Sequence, residues 1–222
     1  AFGPAVQGIR KSMSSKEANR LASTLEYELS VLRPADVPGV DDDRFDTAFG
    51  KAWWWIRNSA HTTNNDLFIL VYQYRGDPNV APRPDGTLMP YTGTDGIPGK
   101  DFVIQSIARR LRNDSVQEEL VPGVVEGRVF YVRMTQLIFK NGALVLTDQP
   151  GKIIDPTEPR TATTLPENYP EAVIAFQAEF YALKSSIYSY ANTGFDLADS
   201  NGDGHPDAAG KPVFTRNLGV RR

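Results

Sequence analysis

Apolar residues recur from Pro4 to Leu32 as Val6, Ile9, Met13, Ala18, Leu21, Ala22, Leu25, Leu29 and Leu32. Most steps are three or four residues, the period of one helix face. Lys11, Ser15, Lys16, Asn19, Arg20, Ser23, Glu26 and Ser30 fill the other face. Pro4 stands where a helix start tolerates proline, and Pro34 stops the pattern. A helix of this length would run about 40 Å. It reads either as a core helix or as the lower half of a longer one.

After Pro34 the acidic cluster Asp41, Asp42, Asp43 and Asp46 precedes Phe45, Ala48, Phe49, Ala52, Trp53 and Ile56, again at helical spacing. Acids at that place favour a helix N-terminus as caps and through the dipole. Trp53, Trp54 and Trp55 are consecutive, so they cannot all face one core. At least one packs on a neighbouring loop or marks a contact surface.

From Asp66 to Arg75 the run Leu-Phe-Ile-Leu-Val-Tyr-Gln-Tyr predicts the first strand, ended by Gly76-Asp77-Pro78. Residues 76–100 form a long Pro- and Gly-rich loop. Gly99-Lys100 is not a phosphate loop, because Gly93 is one residue too far and Asp101 replaces the magnesium-binding hydroxyl. Phe102 to Leu111 fits both a helix and a strand, and the strand is favoured. The basic spot Arg109, Arg110 and Arg112 reads as solvated surface. Val129 to Phe139 and Ala143 to Thr147 flank Asn141-Gly142, a strong hairpin signal because both residues accept positive φ. Ala172 to Leu183 again fits either period, with strand favoured by its aromatic content. Pro212 to Val220 is a last β-like run. The order predicts an α+β fold in one domain, 1–222. Its helix would span 1–33, packed on an antiparallel sheet that it covers on one face, within a head spanning 34–222.

A hydrophobic content of 41% and a charged content of 23% describe a globular chain. The net charge of −3 argues against nucleic acid as a partner. The chain has no Cys, which excludes disulfides, thiol catalysis and Cys-based metal sites. The two histidines, His61 and His205, offer neither a Ser–His–acid order nor a metal-type pair. The chain is therefore read as a non-enzyme.

Metal chemistry is legible at Asp199, Asn201, Asp203, His205 and Asp207, which alternate with Gly204 sixth in the loop. Calcium takes six to eight oxygens, and an EF-hand-type loop supplies them from positions one, three, five, seven and nine. His205 would give its backbone carbonyl, and Asp196 is the simplest further carboxylate. Position twelve is Gly210 rather than a bidentate Glu, so affinity would be weak, about 10⁻⁴–10⁻³ M. The alternative is a solvated acidic turn.

Three features together resemble the type IV pilin and type II secretion pseudopilin family. They are Pro4-Ala5-Val6-Gln7 with Arg10 and the stripe to Leu32, the order of helix before strands, and the aromatic run Val173 to Tyr181 with Asn168, followed by the Asp- and Gly-rich turn from Asp199 to Asp207. The resemblance implies a structural subunit, minor pilin or pseudopilin-like. Its partners would be other such subunits through the N-terminal helix, and the inner membrane through an upstream apolar segment. Its place would be extracytoplasmic, membrane-anchored before assembly and then in a surface or periplasmic filament, with surface adhesion to a host or glycan ligand as an added role. Many pilins close the C-terminal region with a disulfide; here the resemblance implies that the calcium turn takes that part. The rival reading is a stand-alone calcium-dependent adhesin or glycan-binding module using the same turn and the Trp53–Trp55 surface.

Overall fold

The computed structural model describes residues 13–33, 43–60, 65–147, 149–158, 163, 165–194 and 210–222. Within them seven strands pair antiparallel in one sheet: β1 (Ile69–Asp77), β2 (Met89–Pro90), β3 (Val103–Arg110), β4 (Val125–Lys140), β5 (Ala143–Leu146), β6 (Val173–Ala182) and β7 (Phe214–Arg221). The helices are few and short: α1 (Ser15–Ser30), α2 (Ala48–Asn58) and α3 (Asp114–Glu119).

The α+β arrangement organised on a long N-terminal helix is therefore not what forms. The molecule is mostly antiparallel sheet, curled into a half-barrel. The physical reason lies at Ser14. Its backbone is extended, and its hydroxyl accepts the N–H of Glu17 at 3.1 Å, so the helix starts at Ser15. Sixteen residues give a rod of about 24 Å instead of about 40 Å. At the far end Val31 returns to extended backbone. Lys51 on α2 donates to the carbonyls of Glu28 and Val31 at 2.6 and 2.8 Å, a cation on a helix C-terminus.

The strands run β3-β1-β4-β6-β7 across the sheet. β4 is the backbone of this order. Its first half pairs with β1, its second half with β6, and its end with β5. The hairpin between β4 and β5 turns at Asn141 and Gly142, whose φ angles of 52° and 84° are those the Asn-Gly pair was expected to adopt. The expected strands at β1, β3, β6 and β7 all form, which settles the two ambiguous runs.

The centre of the sheet, at β1 and the middle of β4, is buried on both faces, not one. Ile69 and Val71 of β1 face a core shared with Leu21, Leu25 and Leu29 of α1, with Phe49, Trp53 and Trp55 of α2, and with Phe176 and Phe180 of β6. Leu70, Tyr72 and Tyr74 point the other way, to Ile107, Val116, Leu120, Tyr131 and Tyr181. Period-two alternation places neighbours of one strand in different cores. The continuous apolar run of β1 is the sequence of a strand with no solvent face.

Candidate functional site

The acids before α2 do not cap it. Thr47 does, accepting the N–H of Gly50 at 2.9 Å. A side chain at Gly50 would stand 3.1 Å from the carbonyl of Arg44, so the 3-10 turn Asp43–Phe45 lies close across the first turn of α2. Beside this corner a cleft of about 460 Å³ opens between α2 and the segment 165–167. Its apolar floor is Phe49, Trp54 and Pro166, with Leu165 at the edge. Arg222 stacks over Phe49 at 4.6 Å and donates to the carbonyls of Pro166 and Tyr169, both at 2.9 Å. Arg44 lies 5.3 Å over Trp54, with Arg57 at 5.5 Å. Asp46 and Glu167 are exposed on the rim. Trp53 and Trp55 are buried, so Trp54 is the tryptophan that reaches this surface. The cleft offers aromatic area, two guanidiniums and two carboxylates, which is equipment for holding a ligand.

The densest set of charges lies elsewhere. Arg109 and Arg110, expected on a solvated surface, are 3% and 4% exposed. Arg109 donates to Glu119 from Nε and Nη2, both at 3.1 Å, to Asp85 at 2.9 Å and to Thr87 at 2.8 Å. Tyr72 donates to Glu119 at 2.6 Å and Arg83 to the same carboxylate at 2.7 Å. Arg33, just beyond α1, pairs with Glu28 at 2.9 Å and donates to the carbonyl of Asp85. The network thus ties α1, on one face of the sheet, to the 83–87 loop, β3 and α3 on the other. Burial pushes the Tyr72 hydroxyl well above its ordinary range, and the Glu119 carboxylate adds to this. Every carboxylate in the network is matched to a guanidinium, and Tyr72 stays protonated, so its role is to hold the loop in place.

Burial raises the Asp85 carboxyl, but the Thr87 hydroxyl and N–H and the Arg109 guanidinium outweigh it and hold it at about 2, against 3.8 for a free carboxyl. A depressed folded pKa means stability that is complete above pH 3.8 and lost as pH falls through about 2. Asp85→Asn should cost about 2 kcal/mol at pH 6. Urea titrations at pH 6, 3 and 2 should show that gap closing as the parent carboxyl protonates. A gap that stays constant would mean the carboxylate charge is not what stabilises the loop.

The calcium ligands expected from sequence, Asp196, Asp199, Asn201, Asp203, His205 and Asp207, lie outside the described residues, as does His61. Among the described residues no group of three or more His, Asp or Glu could hold a metal ion. Calcium at the Asp-rich turn therefore stands as a proposal with a direct test. At one hundred times the dissociation constant, bound calcium adds about 2.7 kcal/mol to stability. Thermal melts in excess calcium should exceed those in EDTA, and Asp203→Ala should remove the difference. Identical melts of the parent protein in both buffers would reduce the loop to a turn.

No family model matches the chain, and no curated protein or solved structure was found to match it.

Residues that sequence reasoning passed over include Thr47, Leu165, Arg222, Asp85 and Glu119. Thr47 carried a signal, since a Thr directly before an apolar-periodic run is a cap pattern. The cleft carried none, because its two walls are more than a hundred residues apart in the chain.

Proposed function

We propose that this chain is the globular head of a filament subunit of the type IV pilin or pseudopilin kind, working by assembly and not by catalysis. The observation that carries the reading is the direction of the α1 stripe. Ala18, Leu21, Ala22, Leu25 and Leu29 are buried in the head, and Met13 packs against the same core. In the sequence the stripe continues through Ile9 and Val6 with the same spacing. The reading no longer draws on helix length; it draws on an apolar stripe that extends beyond the core-bound segment. Export, an inner-membrane stage and a surface or periplasmic filament follow from it as parts of the same proposal. Among the described residues no helix is long and apolar enough to cross a membrane.

The test is fractionation of producing cells. Shearing should release the protein together with other filament subunits, with the remainder in the inner membrane. Recovery solely as a free soluble monomer would overturn the reading.

The cleft at α2 favours a second reading, a binding module for a ligand with both apolar and charged parts, adhesive glycans included. Arg44, Trp54 and Arg222 would be its contact residues. Binding to a glycan array that survives Trp54→Ala and Arg222→Ala unchanged would remove this reading.

A further inference from the structure

We propose that the cleft beside α2 takes a sugar carrying one carboxylate, a hexuronic or sialic acid residue, with Arg222 as the partner of that carboxylate. The inference names the ligand class for the binding-module reading of the cleft and rests on that reading.

Arg222 carries the choice of an acid. Arg33, Arg75, Arg83, Arg109 and Arg133 each pair with a carboxylate. Arg222 is held in place without one. Its Nη2 donates to the carbonyls of Pro166 and Tyr169, and its guanidinium lies over Phe49. Among the described residues its Nε and Nη1 have no partner, so Nη1 keeps both of its N–H groups to donate. The side chain is already ordered by its two carbonyls and the ring, so an anion binding to Nη1 need not immobilise it. A carboxylate there gains a charge-assisted hydrogen bond.

The rest of the lining selects what surrounds that carboxylate. Asp46 and Glu167, exposed on the rim, make no ion pair and their side chains no hydrogen bond among the described residues. Carboxylates only accept hydrogen bonds, so the ligand groups beside them must be donors. Sugar hydroxyls are such donors. An alkyl or aryl acid would set carbon against those oxygens and remove their water without replacing its hydrogen bonds. Two guanidiniums and two carboxylates give the described lining no net charge, which suits one negative charge and not the several of a phosphorylated or sulfated ligand. Half-buried Trp54, Pro166 and exposed Leu165 supply apolar surface for the C–H side of a sugar ring. The volume of about 460 Å³ lies within the range of small-ligand sites.

The experiment titrates the 222-residue chain with four probes, followed by the NMR signal of the Trp54 indole. The probes are methyl β-glucuronide, the methyl α-glycoside of N-acetylneuraminic acid, methyl β-glucoside and phenylpropionate. The glucoside has the glucuronide ring with CH₂OH in place of the carboxylate, and phenylpropionate has a carboxylate without hydroxyls. One of the two acid sugars should bind about ten-fold or more tightly than the glucoside, as a hydrogen bond to a charged group allows. Which of them binds separates the uronate from the sialate. Phenylpropionate should bind more weakly than that acid sugar. Arg222→Gln, with its fold checked by a thermal melt, should remove the advantage of the carboxylate and leave the glucoside as in the parent. Equal binding of the glucoside and both acid sugars to the parent would overturn the carboxylate assignment and leave the cleft a sugar site. Tighter binding of phenylpropionate than of either acid sugar would overturn the sugar assignment. An advantage that survives Arg222→Gln would overturn the role of Arg222. Binding of none of the four would remove the binding-module reading as well.

Discussion

Glu119→Ala should destabilise the protein by about 3–5 kcal/mol, the range for breaking a buried ion pair from one side. Glu119 is fully buried, and its two oxygens accept from Tyr72, Arg83 and, twice, Arg109. Removing the carboxylate leaves the Arg109 guanidinium, 3% exposed, facing only Asp85 and Thr87. It also leaves the fully buried Tyr72 hydroxyl without its acceptor. Glu118 is the control. It pairs with the same Arg83 at 2.7 Å, but its side chain is 57% exposed, so Glu118→Ala should cost less than about 1 kcal/mol. A paired replacement, Glu119→Leu with Arg109→Met, should cost less than Glu119→Ala alone, because it removes both charges together. Chemical denaturation of the four proteins decides it. Equal costs for Glu118→Ala and Glu119→Ala would show that water reaches the network.

Leu25→Ala should cost about 2–5 kcal/mol, as truncation of a buried leucine does. Leu25 is fully buried, in one cluster with α2 and strands β1, β4 and β6. Its loss opens a cavity where helix and sheet share a core, and few neighbours there are free to collapse. Lys16 and Glu26 lie on the solvent side of the same helix, and their alanine variants should change stability by less than about 0.5 kcal/mol. Neutral behaviour of Leu25→Ala in the denaturation series would mean that α1 is not seated as described.

These two sites mark the reach of the sequence. The seat of α1 was legible because Leu21, Leu25 and Leu29 repeat at helical spacing, and burial follows the repeat. The start of α1 was not read, because an apolar stripe passes through a cap without a break. The cap itself was visible, in Ser14 three residues before Glu17. The strands at β1 and β4 and the Asn141-Gly142 turn follow from local chemistry and were legible. The second core was signalled by the unbroken apolar run of β1 but was not drawn out. The charge network was not legible. Arg109 and Glu119 are ten residues apart, with Asp85 and Tyr72 further off, and nothing local distinguishes a buried arginine from a solvated one.

The proposal that matters most is that the apolar stripe of α1, which the sequence extends through Ile9 and Val6, serves filament assembly. The measurement that tests it most directly is the reading frame upstream of Ala1. The account predicts a short basic leader followed by roughly 20 apolar residues, long enough to span a bilayer. A polar upstream sequence, or a plain cleavable secretion signal, would contradict it.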